Sequence, residues 1–118
     1  MKRILLVDDS KLFYRFVKDV FKNDDVEILW AKNGEEAIKK FNEFNPDLTM
    51  VDIILSDSNG VEIIKRLREI NPKANIMVIS GLDKESVIKD ALEAGAKDYL
   101  VKNVSISYFR QKIMDNID

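Results

Sequence analysis

The chain has 118 residues, 46% of them hydrophobic, which is enough for one domain with a single packed core. Its 21 acidic and 19 basic residues give a net charge of −2, so no large positive field is available to hold a nucleic-acid backbone or an anionic membrane. The sequence contains neither cysteine nor histidine, which excludes disulfides, zinc sites built on these residues and imidazole catalysis. Carboxylates, hydroxyls and amines remain to carry any chemistry.

The amino terminus begins with two basic residues and a short apolar run that stops at Asp8 and Asp9. This run is too short for an export signal or a membrane span. We therefore expect a cytoplasmic protein without a membrane partner, and one domain over residues 1–118.

Apolar runs that suit buried strands alternate with segments of helical periodicity along the chain. The first run is branched and ends at two acids, as a strand buried on both faces would. Ser10, Asn33 and Asp83 are helix N-cap signals, and Gly95 occupies a C-cap position. The predicted strands are 4–7, 26–30, 47–51, 76–79 and 97–101, and the predicted helices are 10–21, 33–44, 61–70, 83–94 and 105–117.

The first and last helices each have an apolar face that we expect to lie in the core. Residues on these faces recur at three- and four-residue spacing, the period of an amphipathic helix. The face of the first helix contains Leu12, Phe13, Phe16, Val17, Val20 and Phe21, and that of the last contains Ile106, Phe109, Ile113 and Ile117.

Five strand-then-helix cycles predict an α/β fold with right-handed crossovers, a parallel sheet and helices on both faces. Periodicity alone does not fix the order of the strands. Five cycles suit the flavodoxin-like order 2-1-3-4-5, in which a crevice forms beyond the carboxyl ends of strands one and three.

Three carboxylates are expected to meet in that crevice. Asp8 and Asp9 follow the first strand and Asp52 follows the third, and all strands of a parallel sheet end at the same edge. Acids this close repel one another unless a hard divalent cation neutralises them. Mg²⁺ is favoured because it commonly takes only one or two protein carboxylates and completes its shell with waters and phosphate oxygens, whereas Ca²⁺ prefers more ligands.

Ser80 and Lys102 follow the fourth and fifth strands, so a hydroxyl and an amine are expected at the same edge. A carboxylate nucleophile with a cation, a lysine and a hydrogen-bond donor around it can form an acyl phosphate. Each residue alone is more simply a turn residue or a surface charge, as we interpret Asp57 to be. Together, suitable groups at the ends of four strands favour a functional site.

These residues lie in motifs that resemble the receiver domain of two-component response regulators, including the single-domain chemotaxis type. The resemblance covers nearly the whole chain. Its motifs are residues 7–10 (VDDS), residues 51–54 (VDII) followed by Gly60, residues 78–81 (VISG) and residues 94–102 (AGAKDYLVK).

The resemblance implies a phosphorylation-activated signalling switch that uses Mg²⁺. Asp52 would accept the phosphoryl group from the phosphohistidine of a histidine kinase or phosphotransfer protein. The cation would be held by Asp8, Asp9, Asp52 and the backbone carbonyl of Ile54, and the phosphoryl oxygens would be bound by Ser80 and Lys102.

The resemblance also implies a conformational response. Ser80 would move toward the phosphate and Tyr99 would change between outward and inward rotamers. This would alter the face formed by the fourth helix, the fifth strand and the fifth helix, where a target protein or output domain would bind. A half-buried strand aromatic with no switching role is an equal alternative for Tyr99.

Two residues depart from the family pattern. Ser56 replaces a proline common four residues after the acceptor, which should loosen the following loop. Asn103 replaces a proline that often has a cis bond after the lysine. A cis bond before asparagine would cost about 3–4 kcal/mol, so we expect a trans bond at Lys102–Asn103 unless the backbone is strained.

Ile54 and Leu82 occupy positions two residues after Asp52 and Ser80, and neither offers a polar group to orient an attacking water. The sequence therefore predicts slow loss of the phosphoryl group.

Two other functions fit parts of the sequence. A phosphohydrolase of the haloacid-dehalogenase type also uses an aspartate nucleophile and Mg²⁺, but it needs an Asp-x-Asp motif after the first strand, where this chain has Asp8-Asp9-Ser10. A receiver-like interaction module that works without phosphorylation is supported only by Ser56 and Asn103. Flavin binding fits less well, since acids occupy the first loop where phosphate-binding groups would be needed.

Overall fold

The computed structural model describes residues 1–55, 59–81 and 85–117. Its five-stranded sheet is parallel and has the order β2-β1-β3-β4-β5, as predicted. The strands are β1 (Lys2–Val7), β2 (Val26–Ala31), β3 (Leu48–Asp52), β4 (Ile76–Ser80) and β5 (Asp98–Val101).

Five helices connect and follow these strands. They are α1 (Lys11–Val20), α2 (Gly34–Phe44), α3 (Gly60–Ile70), α4 (Glu85–Ala94) and α5 (Ile106–Ile117). Within the described ranges, no helix has both the length and the apolar character needed to cross a membrane.

Side chains cap four of the helices within the described ranges; at α5 the hydroxyl of Ser105 accepts a hydrogen bond from the Tyr108 N–H at 3.2 Å. The hydroxyl of Ser10 accepts a hydrogen bond from the Phe13 N–H at 3.1 Å, and the side-chain oxygen of Asn33 accepts one from the Glu36 N–H at 2.8 Å. These two caps confirm the sequence prediction. Asn59 caps α3 and was not predicted. The predicted cap Asp83 lies outside the described residues.

The core has two layers, one on each face of the sheet. On one face α2, α3 and α4 pack against side chains such as Leu5, Val51 and Val78. On the other face α1 and α5 pack against Leu6, Met50 and their neighbours. Helices therefore cover both faces, as expected of a parallel sheet whose strands are apolar on both sides.

The prediction that Leu12 and Ile106 lie in the core is wrong. Leu12 is 78% exposed and Ile106 is 60% exposed. Leu12 lies five residues before Val17, which places it about 140° from that buried side chain around the helix. Ile106 opens α5 above the carboxyl edge of the sheet, where the core ends. Phe109 and Ile113 lie in the core as predicted.

Glycine is required where α3 begins against the end of β3. A Cβ atom on Gly60 would lie 2.6 Å from the carbonyl oxygen of Asp52 and 2.6 Å from the Cα of Ile53. No real side chain tolerates backbone atoms this close, so Gly60 lets α3 start directly beside the end of β3. Gly95 has a φ of 123° after α4, which confirms the predicted C-cap.

Candidate functional site

The predicted acid cluster forms at the carboxyl edge of the sheet. Val7 of β1 pairs with Val51 of β3, so the acids that follow them are neighbours. Asp8 is fully buried and Asp52 is 7% exposed, while Asp9 lies at the surface. One carboxylate oxygen of each of the three acids lies within 4.8 Å of the other two.

Backbone groups fix one oxygen of each buried acid. The Ser10 N–H donates a hydrogen bond of 2.8 Å to Oδ1 of Asp8, and the Ile54 N–H donates one of 3.1 Å to Oδ1 of Asp52. The indole Nε1–H of Trp30 donates to the Asp8 backbone carbonyl at 2.7 Å. Since both Oδ1 atoms are held by the backbone, the two Oδ2 atoms are left to face the rest of the site.

Lys102 contacts both of these Oδ2 atoms. Its Nζ is 2.7 Å from Oδ2 of Asp8 and 3.3 Å from Oδ2 of Asp52. The contact with Asp52 is a hydrogen bond, but the contact with Asp8 is an ion pair that lacks hydrogen-bond geometry. Oδ2 of Asp8 is thus buried without a hydrogen-bond donor from the described residues.

The backbone of Lys102 is anchored to the neighbouring strand. Its N–H donates a hydrogen bond of 2.8 Å to the Ser80 carbonyl, and the Lys102–Asn103 peptide bond is trans, as expected. With this trans bond and no proline at position 103, the Lys102 Nζ still contacts the carboxylates of Asp8 and Asp52.

Burial and neighbouring charges shift the pKa values of Asp52 and Lys102. Burial raises the pKa of Asp52, and the nearby charge of Asp8 adds to the effect, although Lys102 and the Ile54 N–H oppose it. Burial alone would lower the pKa of Lys102, but the carboxylates of Asp8 and Asp52 outweigh it and raise that pKa. The pKa values of Asp52 and Lys102 thus each depend on the charge of the other and on the charge of Asp8.

The donor set fits Mg²⁺. All three candidate side chains offer carboxylate oxygens, which suit a hard cation. The buried Oδ2 of Asp8 accepts no hydrogen bond from the described residues, and a bound cation would give this oxygen the partner that it lacks. A divalent charge would also offset the burial and repulsion that raise the pKa of Asp52.

Ser80 and Tyr99 lie on the two strands beyond β3. Ser80 ends β4 and is 3% exposed; its neighbour Ile79 pairs with Asp52. Tyr99 in β5 is 41% exposed, so its ring faces outward. The Lys112 Nζ lies 5.9 Å from the centre of that ring.

Two aromatic residues at the site were not predicted as part of it. Phe13 was interpreted only as a core residue, but its ring centre lies 4.3 Å from the Nζ of Lys102. Trp30 was assigned only to a strand. Neither carries a sequence signal for this role, because both contacts join elements far apart in the chain. The predicted features at Ser56, Asp57 and Leu82 lie outside the described residues.

Fold and site together define a flavodoxin-like α/β domain with an acidic centre at the carboxyl edge of its sheet. The family model for the response regulator receiver domain matches residues 4–114. The chain is 36% identical over 101 residues to the chemotaxis protein CheY of Bacillus subtilis, covering 85% of this chain and 84% of that protein. It is 37% identical over 102 residues to the chemotaxis protein CheY of Thermotoga maritima, covering 86% and 85% respectively.

Solved structures agree with this match. A CheY-like receiver domain protein from Methanospirillum hungatei superposes with a TM-score of 0.91 at 26% identity, covering 100% of this chain and 94% of that one. A two-component response regulator from Clostridium difficile gives 0.91 at 28% identity, covering 99% and 96%. The chain belongs to the response regulator receiver domain family. Receiver domains are phosphoacceptor switches, and this chain is therefore a phosphorylation-activated signalling switch.

Proposed function

We propose that Asp52 is the phosphoacceptor of this domain, which covers residues 1–118 and acts with Mg²⁺ in the cytoplasm. The observation that carries the proposal is the contact of the Lys102 ammonium with two buried acids, Asp8 and Asp52, at the carboxyl edge of the sheet. A nucleophile, a candidate cation site and a fixed positive charge thus occupy one crevice.

The reaction is the transfer of a phosphoryl group from the phosphohistidine of a histidine kinase or phosphotransfer protein. Oδ2 of Asp52 attacks phosphorus; the P–O bond forms as the P–N bond to the donor imidazole breaks, and the imidazole keeps the bonding electron pair. Oδ2 is favoured as the attacking atom because Oδ1 accepts the hydrogen bond from the Ile54 N–H.

Charge on the transferred group is balanced by the residues around it. Mg²⁺ would be held by Asp8, Asp9, Asp52 and the backbone carbonyl of Ile54, and when bound it would neutralise the acids and the phosphoryl oxygens. Lys102 would then leave Asp8 and, with the Ser80 hydroxyl, bind the phosphoryl oxygens.

Phosphorylation adds about −1.5 to −2 charges and biases an equilibrium between two conformations. Ser80 would move toward the phosphate, and Tyr99 would turn inward from its outward position. This would change the α4–β5–α5 face, to which a downstream target or an output domain binds. The relatives include both single-domain and longer proteins. The chemotaxis protein CheY of Bacillus subtilis matches this chain over 84% of its own length, whereas a protein-glutamate methylesterase from Carboxydothermus hydrogenoformans matches it over only 29%.

The two rival functions are weaker. The trans Lys102–Asn103 bond still allows the lysine to contact both acids, so Asn103 no longer favours a module that works without phosphorylation. Membership of the receiver family disfavours a phosphohydrolase of small phosphate esters.

The test is incubation with acetyl phosphate and Mg²⁺, followed by intact mass measurement. We expect one phosphoryl adduct in the wild type and in Asp19→Asn, whose acid is exposed on α1 and pairs with Lys22 at 3.3 Å. Asp52→Asn should give no adduct. Equal labelling of the two Asn variants, or no labelling of the wild type, would contradict the proposal.

Mg²⁺ binding has an independent readout in Trp30. Its indole donates to the Asp8 carbonyl at 2.7 Å, so a cation at the acids should change its fluorescence. We expect a saturable change on Mg²⁺ titration that Asp8→Asn weakens and Asp19→Asn does not. A wild type without a saturable response would argue against the cation site.

A further inference from the structure

The Lys102 ammonium has a third partner that differs in kind from the two acids. Its Nζ lies 4.3 Å from the centre of the Phe13 ring, within the range of a cation–π contact. The ring is uncharged, whereas Asp8 and Asp52 are carboxylates. Its attraction for the ammonium therefore does not depend on what else the two acids bind.

This independence matters because the proposed function requires Lys102 to change partners. Asp8 would turn to Mg²⁺ and Asp52 would carry the phosphoryl group, so both ion pairs of the resting state would be lost or altered. The backbone of Lys102 is held by its hydrogen bond to the Ser80 carbonyl at 2.8 Å, but a flexible four-carbon stem separates that anchor from the ammonium.

The Phe13 ring is itself held in place on two sides. It stacks on Phe16 with ring centres 5.9 Å apart and meets Phe109 edge-on at 5.9 Å. Its backbone N–H donates to the Ser10 hydroxyl at 3.1 Å, and the Ser10 N–H donates to Asp8 at 2.8 Å. The ring is thus fixed relative to the acid cluster by both packing and hydrogen bonds.

We propose that Phe13 is a positioning residue that holds the Lys102 ammonium at the site while its carboxylate partners change. The inference rests on the proposed role of Lys102 in binding the phosphoryl group. Lys102 is 23% exposed, so the contact is mostly desolvated. Its loss should slow phosphorylation by about three- to tenfold.

The kinetic test compares four proteins in acetyl phosphate with Mg²⁺. Phe13→Leu removes the aromatic face and should slow phosphorylation by about three- to tenfold. Phe13→Tyr keeps the face and should retain most of the rate. Phe21→Leu removes a buried ring from the same core layer just beyond the other end of α1, and this variant should stay near the wild-type rate. Equal losses in Phe13→Leu and Phe21→Leu would overturn the proposal, because packing alone would then explain them.

Ring fluorination separates electrostatics from shape. Trifluorophenylalanine at position 13 nearly preserves the size of the ring but weakens the negative charge on its face. We expect the rate to fall toward that of Phe13→Leu. An unchanged rate would overturn the cation–π contact as the cause.

A second readout does not depend on phosphorylation. Protons next to the Lys102 nitrogen lie over an aromatic face, so ring currents should shift their NMR signals upfield, both with and without beryllofluoride and Mg²⁺. Phe13→Leu should remove this shift, and Phe21→Leu should keep it. A wild type with no upfield shift in either state would overturn the inference. A wild type that shows the shift but takes up no phosphoryl group would contradict the proposed function and leave the contact established.

Discussion

Replacing Lys102 by methionine tests how the acid cluster is balanced. The variant keeps the length of the side chain but removes the only charge that contacts Oδ2 of both Asp8 and Asp52 among the described residues. At an effective dielectric constant of about 20, unit charges 2.7 and 3.3 Å apart attract by about 6 and about 5 kcal/mol. Burying the ammonium costs several kcal/mol and cancels much of this attraction. We expect Lys102→Met to lower the free energy of unfolding by about 2–4 kcal/mol without Mg²⁺.

Mg²⁺ should reverse much of this loss. In the proposed site Lys102 and the cation compete for the same carboxylates, so the variant should bind Mg²⁺ more tightly and gain more stability from it. The assay is urea unfolding of both proteins with and without Mg²⁺, at neutral pH. Lys65→Met is the matched control, because its exposed pair with Glu62 at 3.6 Å should contribute less than about 1 kcal/mol. Equal losses in the two variants, or a deficit that Mg²⁺ does not reduce, would refute the reasoning.

Three further predictions concern other parts of the domain. Burial alone would raise the pKa of Asp98. Hydrogen bonds from the Tyr99 N–H and Asn116, together with the charge of Lys112, outweigh burial and lower this pKa. Asp98 therefore stabilises the fold above its ordinary pKa, and this stability is lost as the pH falls through the lowered value. Asp98→Asn should be less stable than the wild type at neutral pH, and urea unfolding should show the difference closing in acid. Gly60→Ala should lower the unfolding free energy by about 1–3 kcal/mol in thermal denaturation, because its Cβ would lie 2.6 Å from backbone atoms. Ile54→Asn should speed phosphate release by at least about tenfold in a phosphate-release assay, since its amide could orient the attacking water.

Each of these predictions has an outcome that contradicts it. A stability difference for Asp98→Asn that is constant with pH would mean that the lowered pKa does not stabilise the fold. Gly81→Ala is the control for Gly60→Ala, since nothing lies within 4 Å of its added Cβ. Equal effects of the two alanines would remove the argument from close approach. For Ile54→Asn, the prediction fails if the wild type already loses its phosphoryl group within seconds and the variant is no faster.

The sheet and the acid cluster were predictable because they depend on topology alone. Alternating apolar runs and helical periods define a parallel sheet, and such a sheet brings the ends of its strands to one edge. In the predicted order 2-1-3-4-5 strands one and three are adjacent, so Asp8 and Asp52 are neighbours whatever their rotamers. The same argument brought Ser80 and Lys102 to that edge.

Contacts across the core were not predictable in this way. Periodicity identifies the apolar face of a helix but not where the covering layer ends, which is why Ile106 was wrongly assigned to the core. Phe13 looked like any other core aromatic, since nothing near it in sequence indicates that a lysine almost ninety residues later lies against its ring. Leu12 was wrongly assigned to the core because its spacing from neighbouring apolar residues fits an amphipathic helix. Around the helix axis, however, it lies about 140° from the buried Val17.

The most direct test of the central claim is to locate the phosphoryl group after reaction with acetyl phosphate and Mg²⁺. Borohydride reduction of an acyl phosphate converts the modified aspartate into homoserine, which tandem mass spectrometry of the digested protein can place in the sequence. We predict homoserine at position 52 and at no other acid. Homoserine at position 8 or 9, or its absence from every peptide of the wild type, would contradict the assignment of Asp52 as the phosphoacceptor.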